Sequence, residues 1–407
     1  MTSAETDAAR SLLSARAVRE RAHDMLRLCE EDRLAHWRLD RSRLPVIAQF
    51  VLRTMHENYP DLNVPFHARW RHFSAGGRDR WADIATRTDW PDAAARARTE
   101  FDLAIVSVLL DAGAGASWSY REKDGTRLAR SEGLAIASLD MFAAGTFSAR
   151  ADDPLRADAE RLATITANEL ACGFQTSATN PLVGLEGRAQ LLNALGRACL
   201  AAPDVFAQED AARPGGLFDR LARDQIAADR ILRALLEHLG TIWPSRLTLG
   251  GVALGDTWRH PALRRADATD GLVPFHKLSQ WLAYSLIEPL QAAGCAVVDV
   301  DGLTGLPEYR NGGLFVDGGA LIPKNPEDLH RGHDVGSPFV VEWRALTVAS
   351  LDRIADLIRR ETGRNASSLP LACVLEGGTW AAGRRIAAEK RPGGPPPLNI
   401  VSDGTVF

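Results

Sequence analysis

The sequence predicts a mostly α-helical protein, and three observations carry that expectation. Ala, Leu and Arg, all good helix formers, dominate long stretches of the 407 residues. Apolar residues recur at helical spacing in segment after segment. Strand signals are few and short. Element by element, residues 8–36 carry a stripe of Leu12, Leu13, Val18, Met25, Leu26 and Leu28. Comparable patterns place helices at residues 91–112, 154–172, 186–200, 217–238, 275–293, 341–361 and 378–389. The most apolar run, residues 103–110, is closed by Asp102 and Asp111 and is too short to span a bilayer, so it reads as a buried helix. Residues 296–300 and 313–316 are the best strand candidates. With residues 320–322 as a hairpin partner they give a small β element near residues 296–322. Polar, turn-rich seams at residues 148–154 and 203–216 suggest an N-terminal helical lobe at 1–150 and a C-terminal lobe at 151–407, with one continuous domain as the alternative. The RPGGPPP segment at 391–397 cannot be helical, because proline lacks the amide hydrogen and fixes φ.

Composition narrows the function classes. Apolar residues at 45% and charged residues at 25% are ordinary globular usage. A formal net charge of -4 lacks the basic excess that neutralises nucleic acid phosphates. Neither nucleic acid nor membrane is expected as a partner. Cys29, Cys172, Cys199, Cys295 and Cys373 are scattered and odd in number, which argues against a disulfide framework and fits a reducing, cytoplasmic location. The N-terminus places Glu5 and Asp7 ahead of any apolar run, unlike a secretory signal.

The common catalytic signatures are absent: no G-x-S-x-G, H-E-x-x-H, Walker loop or G-x-G-x-x-G occurs. The DAGAGAS run at 111–117 follows a helical pattern and reads as a helix stop. His330 and His333 of HRGHD, with Asp334, have spacing that can hold a metal but no clear further ligand nearby, so no metal is expected. Gly-Gly pairs begin at Gly76, Gly215, Gly250, Gly312, Gly318, Gly377 and Gly393, most beside charges. They serve either as helix stops and turns or as pocket linings. PFHARWRHFSAGGRDRW at 65–81 concentrates His72, Arg78 and Arg80 among aromatics, and two arginines after Gly-Gly are suited to grip an anion. Lys277 falls in the first turn of a helix, where the dipole disfavours a cation and an anionic partner would explain it. In DVDGLTGLPEYRNGGLFVDGG at 299–319, Pro307 stiffens the backbone before Glu308, Tyr309 and Arg310 follow, and Asp299, Asp301 and Asp317 compete for any carboxylate role. In LEGGTWAAGRRIAAEKR, Thr379 can cap the helix. Arg384, Arg385 and Lys390 either hold phosphate or form a solvated face. SDGTVF at 402–407 is likewise turn-rich and charged.

The segments FSAGGRDRW, FDLAIVSVLLDAGAG, GLAIASLDMF, LEGRAQLL, RPGGLFD, IWPSRLTLGG, GLVPFHKLSQWLAYSL, LTGLPEYRNGGLFVD and LEGGTWAAGRRIAAEKR together resemble the uracil catabolism protein four family, long catalogued as a domain of unknown function. The resemblance implies a place in a uracil degradation route that passes through ribosylated urea, and cleavage of the bond between urea and ribose or ribose phosphate. A more local similarity is to the queuosine-nucleotide salvage hydrolases, which have a helical lysine and, some thirty residues on, a motif of the form L-T-x-F-x-D-Y-R on a fold similar to DNA glycosylases. Lys277 and residues 303–310 occupy those places, with Glu308 where that family has aspartate.

Together these readings give a two-lobed, DNA-glycosylase-like helical protein that hydrolyses an N-glycosidic bond without a cofactor. Glu308 and Lys277 are the expected catalytic residues. Arg78, Arg80, Arg310, His72 and Tyr309 are expected to bind a small ribosylated substrate or its phosphate. Replacing Glu308 by glutamine is expected to leave folding nearly unchanged. The alternatives are a metal-dependent amidohydrolase using His330, His333 and Asp334, and a non-catalytic partner of another uracil-degrading enzyme. Oligomeric state stays open.

Overall fold

Local capping chemistry sets where the helices begin. Ser14 accepts the Ala17 N–H at 3.2 Å to start the helix Ala15–Glu30, and Asp92 accepts the Ala95 N–H at 2.7 Å to start Ala93–Leu109. Thr166 and Glu169 form a reciprocal capping box at Ala167–Gly173. Ser337 and Pro338 open the longest helix, Pro338–Thr362, which Gly363 closes at φ 66°. The computed structural model describes residues 3–111, 113–115, 117–208, 211–243 and 247–401, and over them the protein is mostly α-helical. SDGTVF lies outside the described residues.

The helices pack into layers that converge on the segments of interest. Ala93–Leu109 is buried from Thr99 to its end, as its apolar run requires. It packs on Lys277–Ala292, which also packs on Ala228–Leu239. Pro338–Thr362 packs on both Ala15–Glu30 and Arg43–Asn58. Tyr309–Asp317 lies against Trp380–Lys390. One apolar cluster runs from Ala15 to Ile400. All five cysteines are unpaired thiols, and no helix among the described residues is long and apolar enough to cross a membrane.

The β structure departs from the expected hairpin. Ala296–Val298 is a strand, but it pairs in parallel with Gln225–Ala227. Leu321–Pro323 pairs antiparallel with Trp37–Leu39. Residues 313–316 are not a strand at all; they belong to the helix Tyr309–Asp317. The apolar run LFV suits either period, and packing against the Trp380 helix decides it. A third long-range pair joins Gly332–Asp334 to Asn399–Val401 in parallel.

Two glycines explain how closely the elements near Glu308 approach. A Cβ on Gly383 would strike the backbone carbonyl of Arg310, and one on Gly312 would enter the Trp343 ring. The 312–313 pair is therefore part of a helix contact and not a turn around a ligand. Helix Trp380–Lys390 can approach the Arg310 backbone only because residue 383 has no side chain.

Candidate active site

Glu308 and Lys277 stand at the starts of two different helices and line the same cavity of about 450 Å³. The wall is completed by Leu134, Trp281, Leu306, Tyr309 and Trp380, together with the charged Asp111, Glu132, Arg130, Arg310 and Arg384. A second cavity of about 670 Å³ adjoins it and shares His67, His72, Arg130, Glu132, Arg310, Trp380 and Arg384.

Glu308 has extended backbone and caps Tyr309–Asp317. Its Oε1 accepts the Asn311 N–H at 2.6 Å and its Oε2 accepts the Arg310 N–H at 2.8 Å. A carboxylate offers about four lone-pair sites, so capping leaves roughly two for the cavity. This double role corrects the expectation that Glu308→Gln would not disturb folding, since the carboxylate also holds the helix end. Asn311 in turn accepts the Thr379 hydroxyl at 2.8 Å, so Thr379 is a buried tie between helices and not the expected cap.

Lys277 is fixed from behind. His276 adopts a left-handed backbone, φ 49°, and its Nε2 lies 3.0 Å from the Leu12 carbonyl oxygen. Asp256 accepts the Lys277 backbone N–H at 3.1 Å and forms a two-pronged pair with the buried Arg344 at 2.8 and 2.7 Å. Burial lowers the pKa of the Lys277 amine below the ordinary lysine value, while the charges of Glu308 and Asp111 act against that shift. Glu308 and Asp111 thus bring negative charge near the Lys277 amine.

The other expected residues divide. Tyr309 and Arg310 line the cavity, and burial pushes the Tyr309 phenol up to about 12. His72 also lines it, with its edge to Trp281 and Trp380 at 5.5 and 6.0 Å. Burial, then the nearby Arg69, pull His72 down to about 3, so at neutral pH it would meet a substrate as a neutral imidazole. Arg78 and Arg80 do not reach the site. Arg78 is exposed on Asp83 at 2.9 Å, and Arg80 grips Glu122 at 2.7 and 2.6 Å. The rival carboxylates are elsewhere as well: Asp301 pairs with Arg359 at 2.5 Å and Asp317 with Arg391 at 2.6 Å, and neither they nor Asp299 line this cavity.

The cavity also takes residues to which the sequence assigned no catalytic role. His67 stacks on Trp281 at 6.3 Å and hydrogen-bonds Glu376 through Nδ1 at 2.6 Å. Glu376 sits on a turn of π-helix, Leu375–Thr379, a geometry common at functional sites. A histidine oriented by a carboxylate can relay protons. Asp111 closes the other side, ion-paired at 2.8 Å with the fully buried Arg69. Of the arginines in LEGGTWAAGRR, Arg384 faces the cavity and pairs with Glu132 at 2.7 Å, whereas Arg385 is spent on Glu57 and Glu389. His330, His333 and Asp334 lie outside the site, with the His333 ring stacked on Phe339 at 4.2 Å.

The family described as "Protein of unknown function (DUF1688)" matches residues 11–407. The chain belongs to that family. Protein urg3 of Schizosaccharomyces pombe (strain 972 / ATCC 24843) is 36% identical over 415 residues, covering 99% of this chain and 100% of the relative. Uracil catabolism protein 4 of Lachancea kluyveri is 35% identical over 409 residues, covering 91% and 92%. The DUF1688 match takes in every segment that lines the cavity.

Proposed function

We propose that this DUF1688 protein acts in uracil catabolism by hydrolysing the N-glycosidic bond of ribosylurea or its 5-phosphate, releasing urea. The observation that carries the reading is the meeting of Glu308 and Lys277 in one cavity, a carboxylate and an acidified ammonium on separate rigid helix starts. The printed name of the Lachancea kluyveri relative supports the pathway.

N-glycoside cleavage develops positive charge on the sugar ring and negative charge on the departing nitrogen. Glu308 supplies the anion that stabilises the oxocarbenium-like centre and accepts a proton from the attacking water. Lys277, made a stronger acid by burial, donates a proton to the urea nitrogen as the C1–N bond breaks. Water oxygen ends on C1, so the products are urea and the free sugar or its phosphate. Urea release from synthetic ribosylurea and its 5-phosphate by the purified protein tests the reading. Release above the buffer rate supports it, and none from either compound overturns it.

Two variants bear on the roles. Lys277→Met is expected to cut turnover about a hundredfold with an unchanged or higher melting temperature, because removing a disfavoured buried ammonium relieves the folded state. Full activity, or a clear fall in melting temperature, would assign Lys277 a structural role instead. Among the described residues no group of three or more His, Cys, Asp or Glu is placed to hold a metal ion. Turnover is accordingly expected to survive exhaustive chelation. Activity lost to a chelator and restored by a divalent ion would replace this mechanism with the metal-dependent one.

A further inference from the structure

We propose that Arg130, Arg310 and Arg384 form a phosphomonoester subsite where the two cavities meet. The three arginines come from three elements: Arg130 opens the helix Arg130–Ala143, Arg310 follows the Glu308 cap, and Arg384 lies on Trp380–Lys390. All three line both cavities.

The charge balance there is incomplete. Arg384 is neutralised by Glu132 at 2.7 Å. Arg130 donates to the Gly393 carbonyl at 3.1 Å and Arg310 to the Gly394 carbonyl at 2.9 Å, and neither is ion-paired with a carboxylate among the described residues. Three guanidinium groups thus face two carboxylates here, Glu132, which is paired with Arg384, and Glu308, whose charge acts on Arg310, so one positive charge is left in excess. Burial disfavours the charged form of Arg310, Arg130 and Arg384 add to that, and Glu308 and Glu132 oppose it without reversing it, so the three arginines are within electrostatic reach of one another. Converging cations with too little counter-charge are unfavourable until a further anion joins them. Guanidinium forks match phosphate oxygens geometrically and hold their charge at any physiological pH.

The backbone also leaves room. Gly393 and Gly394 adopt φ 77° and 60°, and a Cβ on Gly393 would meet nothing within 4 Å. The turn gives Arg130 and Arg310 carbonyl anchors while presenting no side chain of its own. Arg130 itself has a left-handed backbone, φ 54°, a conformation rarely retained by a bulky residue without a reason.

A dianion at this end and a glycosidic carbon at Glu308 would suit a sugar phosphate lying along the cavity. That orientation rests on the glycosidase reading; the anion site does not. Calorimetry on the full-length protein with ribose 5-phosphate, ribose and inorganic phosphate tests it. Ribose 5-phosphate is expected to bind about tenfold or more tighter than ribose. The double variant Arg130→Gln, Arg384→Gln should lose that preference while keeping its near-ultraviolet circular dichroism, and Arg78→Gln should keep it. Inorganic phosphate binding without a gain for the sugar phosphate retains the anion site but overturns its assignment to an ester. Equal affinity for ribose and ribose 5-phosphate in the wild type, or no binding of any phosphate, overturns the subsite whatever the variants do. Strong ribose 5-phosphate binding with no urea released from either ribosylurea compound keeps the subsite and removes the glycosidase reading. Equal turnover of both compounds at equal KM does the reverse.

Discussion

Replacing Glu308 by glutamine is expected to lower turnover of ribosylurea 5-phosphate about a hundredfold or more, the size of effect seen when one preorganised electrostatic group is removed. The same change is expected to cost about 1 kcal/mol of stability, because a neutral amide has one oxygen where the carboxylate uses two to accept the Arg310 and Asn311 N–H groups. Aspartate separates the two roles. It is a preferred helix cap, so Glu308→Asp should keep the melting temperature, while its shorter side chain withdraws the charge from the cavity and leaves partial activity. Urea release and thermal melts for the wild type and both variants decide the matter. Wild-type turnover by Glu308→Gln would exclude this carboxylate from the chemistry. Loss of activity in Glu308→Gln that merely tracks its unfolding would make it a cap alone.

The largest effect on stability is expected behind Lys277. Arg344→Ala should destabilise the protein by about 3–5 kcal/mol, since it strands the Asp256 carboxylate in the interior. Arg344 is fully buried, its guanidinium packs 4.1 Å from the Phe275 ring centroid, and it grips both Asp256 oxygens. Burial alone would raise the Asp256 pKa, but Arg344, with the Trp258 and Lys277 N–H groups, more than offsets this and holds it below the usual 3.8. In the wild type that stabilisation is present above pH 3.8 and is lost as pH falls through the lower folded value. In the variant burial acts without a counter-ion, so Asp256 can take up a proton on folding and the deficit should narrow toward acid pH. Denaturant unfolding at neutral and acid pH reads both statements. A deficit that is small, or that widens in acid, contradicts this account, and Arg344→Met with Asp256→Leu should recover most of the loss.

Most long helices were legible because burial imposes a period of 3.6 on their apolar residues, and Ala93–Leu109 and Pro338–Thr362 fall where that stripe places them, whereas the stripes at 154–172 and 217–238 are each broken, the second by the strand Gln225–Ala227. Arg43–Asn58 was not expected, although Pro45 stands in its first turn, where a missing N–H leaves no bond unmade. Two strands were legible near residues 296–298 and 321–323, but their pairing was not. Each is at most three residues long, too short for an alternating pattern, and Ala296–Val298 finds its partner some seventy positions earlier. Of the site, Glu308 and Lys277 came from motif spacing and helix position. Arg78 and Arg80 misled because a Gly-Gly followed by arginines says nothing about where Asp83 and Glu122 will lie. The HARW stretch held the relevant signal in His67, but only its distant partner Glu376 shows that it belongs to the cavity.

The way residues 35–39 are tied to segments some three hundred positions later bears on the order of folding. The Ala35, His36 and Trp37 N–H groups all donate to the carboxylate of Glu342, and the strand that follows pairs with Leu321–Pro323. The cavity needs Asp111, Lys277, Glu308 and Trp380 at once. None of these closures can form until the late segments have been made, since the early ones wait for partners some three hundred residues later. Contacts so distant in sequence slow the search for the native state. Synthesis should therefore pass through a long interval in which the apolar face of Ala15–Glu30 is uncovered. Nascent chains stopped before residue 342 should be digested readily by protease, and resistance should rise steeply only once the Trp380 helix has been made.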